Sequence, residues 1–234
     1  MQFTRREPIF ENRYEAGRQL AQKLMEYKGK QVVVMAIPNG GAPVGLWVAL
    51  NLEAPLDLVI SRKIPLPLSP EGGFGAVTDD GTMLVNDEMV KHAGLTPQQI
   101  SYQVSQVRQD IRQRSLLYHR EKPHTIISGK TVLLVDDGMA SGYTMMAAVE
   151  SLRHRRAKEI VAAVPVASEH SIKAVEKIAD RVITCAAGEP IRFYISDYYR
   201  YWHEPADDEV IQCFREWHMR RRAPIELNEK KITG

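Results

Sequence analysis

Short apolar runs that lack polar alternation recur along this chain, and segments with helical periodicity lie between them. The runs are rich in β-branched residues and occupy 31–37, 56–61, 131–135, 159–166 and 181–185. Such runs are typical of strands buried on both faces of a parallel sheet. Helical spacing occupies 12–27, 42–52, 143–155 and 169–178. This alternation predicts an α/β fold with a doubly wound, mainly parallel sheet flanked by helices.

Two regions depart from this alternation. Residues 62–77 include the stretch KIPLPLSPEGG, whose three prolines and two glycines indicate an irregular and flexible loop. Just beyond it, Asp79-Asp80-Gly81 separates two strand-like runs, which is typical of an antiparallel hairpin. From 187 to 234 the chain is first densely aromatic and then helical over 207–221. We therefore predict a small C-terminal hood on a core of residues 1–186.

A long helix is predicted over 97–119. The sequence Thr96-Pro97-Gln98-Gln99 combines a capping residue, a first-turn proline and a capping-box glutamine. The apolar residues of this helix form a narrow stripe of Ile100, Val104, Val107 and Ile111. Two interpretations of the stripe stay open, because a helix lying on its own domain and a helix in a subunit contact both need such a face.

Composition limits the partners and the compartment. The 234 residues carry 31 basic and 29 acidic side chains, a net charge of +2, so no global field requires nucleic acid or a membrane as partner. Two cysteines, Cys185 and Cys213, are too few for a disulfide framework. No apolar run approaches the roughly 20 residues of a membrane-spanning helix, and the first residues lack an apolar signal region. We expect a cytoplasmic protein.

One segment carries recognisable chemistry. The apolar strand 132–135 delivers Asp136 and Asp137 to its carboxyl end, where open α/β sheets bind their ligands. The loop that follows, GMASGYT, has small residues, two hydroxyl groups and the start of a helix, so its backbone N–H groups suit a phosphate. Carboxylates beside a phosphate site would repel a bare polyanion and suit hydroxyl groups or a divalent metal instead. A sugar phosphate suits both groups, because its hydroxyl groups can bind the carboxylates and its phosphate can bind the backbone N–H groups of the loop.

Competing motifs fail on their spacing. Gly129-Lys130-Thr131 resembles the end of a P-loop, but His124 stands where that motif has glycine and a strand follows instead of a helix. Ser141 lies one place too late for the nucleophile elbow of serine hydrolases. The seven histidines form no zinc-ligand pattern.

The segment VLLVDDGMASGYT resembles the phosphoribosyl-diphosphate (PRPP) binding motif of type I phosphoribosyltransferases. Further blocks of a poorly characterised bacterial and archaeal branch of that family are similar to IPNGGAPVG, SRKIPLPLSPEGGFGAV and VAAVPVAS. The resemblance covers most of residues 8–215. It implies a Mg²⁺-dependent enzyme that transfers the phosphoribosyl group of PRPP to a nitrogenous acceptor, with release of pyrophosphate.

The resemblance also implies roles for individual residues. Asp136 and Asp137 would bind the ribose hydroxyl groups and contact Mg²⁺ indirectly. The 5-phosphate would lie in the loop formed by Met139, Ala140, Ser141, Gly142, Tyr143 and Thr144. The pyrophosphate loop corresponds to Asn39, Gly40 and Gly41, where many relatives carry a basic residue at the position of Asn39. Arg62 and Lys63 would then supply the missing positive charge, and Glu71 is a candidate proton acceptor.

Two classes of function remain open at this point. The first is catalysis, and the second is a non-catalytic PRPP or nucleotide sensor on the same fold. Nucleic acid is an unfavoured partner, because the basic clusters 153–156 and 220–222 fit solvated helix ends. The family is commonly dimeric, so we expect a homodimer, with the stripe of the long helix as a candidate contact surface.

Overall fold

The computed structural model describes residues 7–67, 69–118, 125–189 and 193–222. Its main sheet has five strands: β1 (Val32–Ala36), β2 (Leu56–Leu58), β6 (Thr131–Val135), β7 (Glu159–Ser168) and β8 (Arg181–Gly188). Its strand order is β2-β1-β6-β7-β8, and every neighbouring pair is parallel. In the sheet, β2 lies on one side of β1, and the later strands β6, β7 and β8 lie on the other side. The crevice at the carboxyl ends of β1 and β6 is therefore the topological switch point, where such sheets bind ligands.

Helices cover both faces of this sheet, as predicted. They are α1 (Arg13–Lys23), α2 (Gly41–Leu52), α5 (Tyr143–His154), α6 (Glu169–Val175) and α7 (Asp207–Arg222). Val34 and Leu133 pack with α1, α2 and α7 on one face, whereas Val33 and Leu134 pack with α5 and α6 on the other. The strands are buried on both faces because successive side chains alternate between them, which explains their continuous apolar runs.

A second sheet of three antiparallel strands stands apart from the first, with the order β3-β4-β5. Its strands are β3 (Ser61–Leu66), β4 (Ser69–Thr78) and β5 (Met83–Val85), and α3 (Asp87–His92) follows. The predicted hairpin around Asp79-Asp80-Gly81 is confirmed, since Gly75 pairs with Val85 and Val77 with Met83. The predicted run 56–61 is divided, because β2 ends at Leu58 and β3 begins at Ser61.

The prediction that 63–73 is irregular was wrong, because most of this stretch belongs to β3 and β4. Pro65 is tolerated because β3 is an edge strand and the register shifts on both sides of this residue. We call the paired strands β3 and β4 the arm. The flexibility predicted for 62–77 stays a prediction, and Leu68 lies outside the described residues.

The long helix, α4, runs over Pro97–Tyr118, and His119 lies outside the described residues. Its capping box is confirmed: the Thr96 N–H donates to Gln99 Oε1 at 2.9 Å, and the Gln99 N–H donates to Thr96 Oγ1 at 3.3 Å. Val104, Val107 and Ile111 are buried against the second sheet. The stripe is thus covered by its own chain, and its suggested role as a dimer surface is corrected. The homodimer itself stays a prediction.

The segments around residues 10 and 199 pack together beside the main sheet. Phe10 forms a parallel bridge with Tyr199, and the N–H groups of Ile9 and Phe10 both donate to the Tyr198 carbonyl at 3.0 and 2.9 Å. Tyr198 and Tyr199 are buried, so these two rings serve packing. Residues 190–192 and 223–234 of the predicted hood lie outside the described part. The division into core and hood stays a prediction. Within the described residues, no helix is long and apolar enough to span a membrane.

Candidate active site

A cavity of about 460 Å³ lies between the carboxyl end of β6 and the arm. The loop after β6 forms one wall, with Asp136, Asp137 and residues 138–145. The arm forms the opposite wall through Lys63, Glu71 and three glycines, and Met89 and Ile195 complete the lining. The structure therefore brings both predicted aspartates, the entire predicted phosphate loop and two of the predicted arm residues into one cavity.

The two aspartates have different surroundings. Asp137 is 9% exposed, and its Oδ2 accepts a 2.7 Å hydrogen bond from Arg13 Nε. Its backbone carbonyl accepts a 2.6 Å bond from the Tyr199 hydroxyl. Asp136 is more exposed, and its Oδ1 accepts from the Asp137 N–H at 2.8 Å. Asp137 is thus held in place by distant residues, whereas the Asp136 carboxyl bonds to the backbone of its neighbour.

Electrostatics separate the pair further. Burial and the neighbouring Asp137 carboxylate raise the pKa of Asp136 well above its ordinary value. The Arg13 guanidinium offsets the negative charge of Asp137, since the two side chains are close and largely withdrawn from water. The positive charge of Arg13 therefore compensates part of the negative charge at this pair of acids. This reduces the repulsion of an anionic ligand.

Two buried serines orient the phosphate loop. Ser168 Oγ donates to the Ala140 carbonyl at 2.6 Å, and Ser171 Oγ donates to the Met139 carbonyl at 2.8 Å. In a trans peptide the carbonyl and the next N–H point in opposite directions. Because the serines hold the two carbonyls, the N–H groups of Ala140 and Ser141 point away from them. The loop is also bound to the sheet, since the Met139 N–H donates to the Val166 carbonyl at 2.9 Å.

The start of α5 supplies further donors. Gly142 precedes the helix with a φ of 85°, a conformation that favours glycine, and no side chain caps the helix there. Met146 makes the bond to the Gly142 carbonyl, so the N–H groups of Tyr143 and Thr144 have no acceptor within the helix. An uncapped helix start beside exposed Ala140 and Ser141 suits a phosphate.

The predicted pyrophosphate loop packs directly behind the acids. A Cβ atom built on Gly40 would lie 2.5 Å from Asp137 Cγ, and one built on Gly41 would lie 2.9 Å from Asp136 Cα. Glycine is therefore needed at both positions for close approach of the two chain segments. Gly40 and Gly41 contact the aspartates but are absent from the cavity lining.

Asn39 also lies outside the lining, and its side chain is fully occupied. Its Nδ2 donates to the Pro205 carbonyl at 2.8 Å and to Asp207 Oδ1 at 3.0 Å, whereas its Oδ1 accepts from Arg114 Nη1 at 2.8 Å. Arg114 is also bonded to Asp207, and it contacts both oxygens of Asp110 at 3.0 Å. A cation does reach the position where relatives carry a basic residue, but it comes from α4 and is paired with two acids.

The two basic residues of the arm separate. Arg62 and Lys63 are adjacent in a strand, so their side chains point to opposite faces. Lys63 lines the cavity, and its Nζ donates to the Glu71 carbonyl at 2.6 Å. Arg62 lies outside the lining and forms a 3.3 Å ion pair with Asp110. The structure thus brings Lys63 and Glu71 to the cavity but not Arg62.

The donors at the strand ends fit Mg²⁺ carried by the ligand. Magnesium prefers oxygen ligands and is held through one or two carboxylates together with substrate phosphates. Asp136 is the more available carboxylate, because Arg13 engages an oxygen of Asp137. Among the residues that the structure describes, no three His, Cys, Asp or Glu side chains form a metal cluster. The fit is to an ion shared between the ligand and Asp136, directly or through water.

Sequence reasoning missed Arg13, Ser168 and Ser171, which orient the site, and Met89 and Ile195, which line it. One signal for Arg13 was available, because a cation in the first turn of α1 opposes the helix dipole and needs a tertiary partner. Ser168 caps α6 by accepting from the Ser171 N–H at 3.0 Å, so the sequence could identify it as a cap. The contact of the serines with the phosphate loop depends on the packing of β7 against β6.

Comparisons with known proteins agree with this geometry. Residues 9–197 match the sequence profile of a phosphoribosyl transferase domain. Over 203 residues the chain is 35% identical to a Mycobacterium tuberculosis protein, found in two strains, whose name assigns it provisionally to the phosphoribosyl transferases. That alignment covers 87% of this chain but 46% of the relative, so the chain spans about half the length of the curated relatives it matches. The crystal structure of TT1426 from Thermus thermophilus is 30% identical, with a TM-score of 0.72 over 89% of this chain and 98% of that chain.

Proposed function

Because this chain belongs to the phosphoribosyl transferase family, we propose that it transfers the 5-phosphoribosyl group of PRPP to a nitrogenous acceptor and releases pyrophosphate. The observation that carries the proposal is the division of one cavity into two chemical halves. Carboxylates at 136 and 137 suit hydroxyl groups, and an uncapped helix start with two outward N–H groups suits a phosphate. A 5-phosphorylated ribose needs both.

In the proposed reaction a nitrogen of the acceptor forms a bond to C1 of the ribose, and the C1–O bond to the diphosphate breaks with its electron pair leaving on oxygen. The acceptor then loses a proton. Glu71 lines the cavity on the arm and is the candidate to accept that proton. Lys63 lines the same wall and would stabilise the leaving diphosphate. Mg²⁺ bound with PRPP would neutralise part of the diphosphate charge.

The protein contributes mainly binding and orientation. The loop of residues 139–144 would hold the 5-phosphate, and Asp136 and Asp137 would hold the 2- and 3-hydroxyl groups. The family resemblance would put the diphosphate at Gly40 and Gly41, whose backbone packs against both acids behind the cavity lining. The arm covers the opposite side of the cavity, and closing it would exclude water that hydrolyses PRPP.

The acceptor is the least defined part of the proposal. Within the described part of 187–222, Ile195 alone lines the cavity, and its side chain covers Gly138 next to the acids. Met89 adds a second apolar group. An apolar wall of this kind favours a planar, weakly polar acceptor such as a nucleobase.

Calorimetric titration of Mg²⁺·PRPP tests the proposal. We expect the wild type to bind and Asp136→Asn to bind at least about tenfold more weakly, because the amide removes the charge and replaces one acceptor oxygen with a donor. Asp208→Asn, a change at an exposed carboxylate of α7, should bind like the wild type. A panel of nucleobases assayed for pyrophosphate release then tests transfer. Binding without release for any acceptor would favour the sensor interpretation, and absence of binding would overturn the proposal.

A further inference from the structure

Asp137 depends on a residue that lies 124 positions away in the chain. Its carboxylate bonds to Arg13 Nε at 2.7 Å, and both side chains are largely withdrawn from solvent, at 12% and 4% exposure. Gly40 also packs against this carboxylate, closest to the Oδ2 that Arg13 binds. The orientation of this acid is thus set by the guanidinium of α1 and the glycine loop, in addition to its own strand.

Arg13 is itself fixed from several directions. Its Nη1 donates to the His203 carbonyl at 2.5 Å, and its guanidinium carbon lies 3.8 Å from the centre of the Trp202 ring. The fork geometry of arginine allows it to bind the carboxylate and the carbonyl at the same time. Its Nη2 is buried without a hydrogen-bond partner among the described residues.

The position of Arg13 also argues against a purely local role. It is the first residue of α1, where the helix dipole disfavours a cation. Neighbouring Asn12 already caps the helix by accepting from the Glu15 N–H at 3.0 Å. The guanidinium therefore does nothing for the helix and instead serves Asp137.

We propose that Arg13 is a positioning residue for ribose binding: it holds the Asp137 carboxylate in place and offsets its charge, so that the acid accepts a ribose hydroxyl without repelling the anionic ligand. This inference rests on the proposed function. It makes the ribose half of the cavity depend on two segments distant in sequence, because Trp202 and His203 hold the arginine of α1. The phosphate half is held instead by Ser168 and Ser171.

This separation gives the test. Calorimetry compares Mg²⁺·PRPP, ribose 5-phosphate and inorganic phosphate for the wild type, Arg13→Met and Arg13→Lys. The matched control is Arg18→Met, because Arg18 lies on the same helix and also stacks on a tryptophan, 4.8 Å from the Trp47 ring centre, away from the site. We expect Arg13→Met to weaken both ribose ligands on the order of tenfold or more and to leave inorganic phosphate unchanged. Arg13→Lys restores part of the affinity, because it keeps the charge but loses the fork.

Three outcomes would overturn the inference. Wild-type affinity for PRPP in folded Arg13→Met means that the arginine does not position the acid. An equal loss for all three ligands means a general structural role. Absence of PRPP binding by the wild type overturns the proposed function and this inference with it, and is thereby distinct from the first two. If Arg13→Met does not fold, Arg13→Lys decides alone through the same comparison of ribose ligands with inorganic phosphate.

Discussion

Replacing Gly40 with alanine tests the packing of the glycine loop against the acids. The backbone of Gly40 has φ −61° and ψ −34°, an ordinary helical conformation that alanine adopts readily. With no spatial conflict, Gly40→Ala would therefore stabilise the fold by about 0.4–1 kcal/mol through the unfolded state. The added methyl group, however, would overlap Asp137 Oδ2, the oxygen that Arg13 binds, and would lie 2.5 Å from Asp137 Cγ.

The cost follows from this distance. Carbon atoms in contact prefer a separation of about 3.5–4.0 Å, so the carboxylate or the loop must move by roughly 1 Å. If the carboxylate moves, its 2.7 Å bond to Arg13 opens beyond hydrogen-bonding range. Forced packing costs about 1–3 kcal/mol, and a broken buried ion pair costs about 3–5 kcal/mol. We expect a loss near 3 kcal/mol, which lowers Tm by about 6–12 °C in a chain of this size.

Thermal and urea denaturation measure this loss, and two further variants give its cause. In an Asp137→Ala background the methyl group has room, so adding Gly40→Ala stabilises that background by a few tenths of a kcal/mol or more. Gly72→Ala is the matched control on the arm, since its nearest neighbour is the flexible Leu66 Cδ1 at 3.0 Å. The reasoning is refuted if Gly40→Ala stabilises the wild type, or if its cost is the same with Asp137 removed.

Three other changes have defined outcomes. Because the pKa of Asp136 is raised in the folded chain, the stability that its protonated form contributes is lost as the pH rises above the unfolded pKa near 3.8. Asp136→Asn should therefore raise the free energy of unfolding in urea titrations at pH 8, with little gain at pH 3.5. An equal gain at both pH values would contradict this. Ile111→Ala should lower the free energy of unfolding by about 2–5 kcal/mol in the same assay, because Ile111 is buried within its own chain. It should leave the sedimentation coefficient unchanged, and a shifted coefficient would restore the subunit-contact interpretation. Ile195→Ala should leave PRPP affinity unchanged and raise pyrophosphate release for larger acceptors relative to smaller ones, and an unaltered ranking would remove Ile195 from acceptor selection.

Local pattern was enough for most of the fold. The main strands and helices were predictable to within a few residues, because apolar periodicity depends on which faces a segment buries. The order of the segments then led to a parallel sheet. The motif around Asp136 and Asp137 was readable for the same reason, since strand, acids and loop are contiguous. Prolines misled the prediction at the arm, because an edge strand with shifted register tolerates them.

Contacts between distant segments required the tertiary structure. Arg13 reaches Asp137 across 124 residues, and Arg114 reaches Asn39 across 75. The stripe of α4 could equally have met another subunit, until the second sheet was found to cover it. Periodicity states that a face must be buried but not what buries it, and a charged side chain does not reveal its partner. The residues that line the cavity could therefore be predicted largely from the sequence. The side chains that hold those residues in place became known only from the tertiary structure.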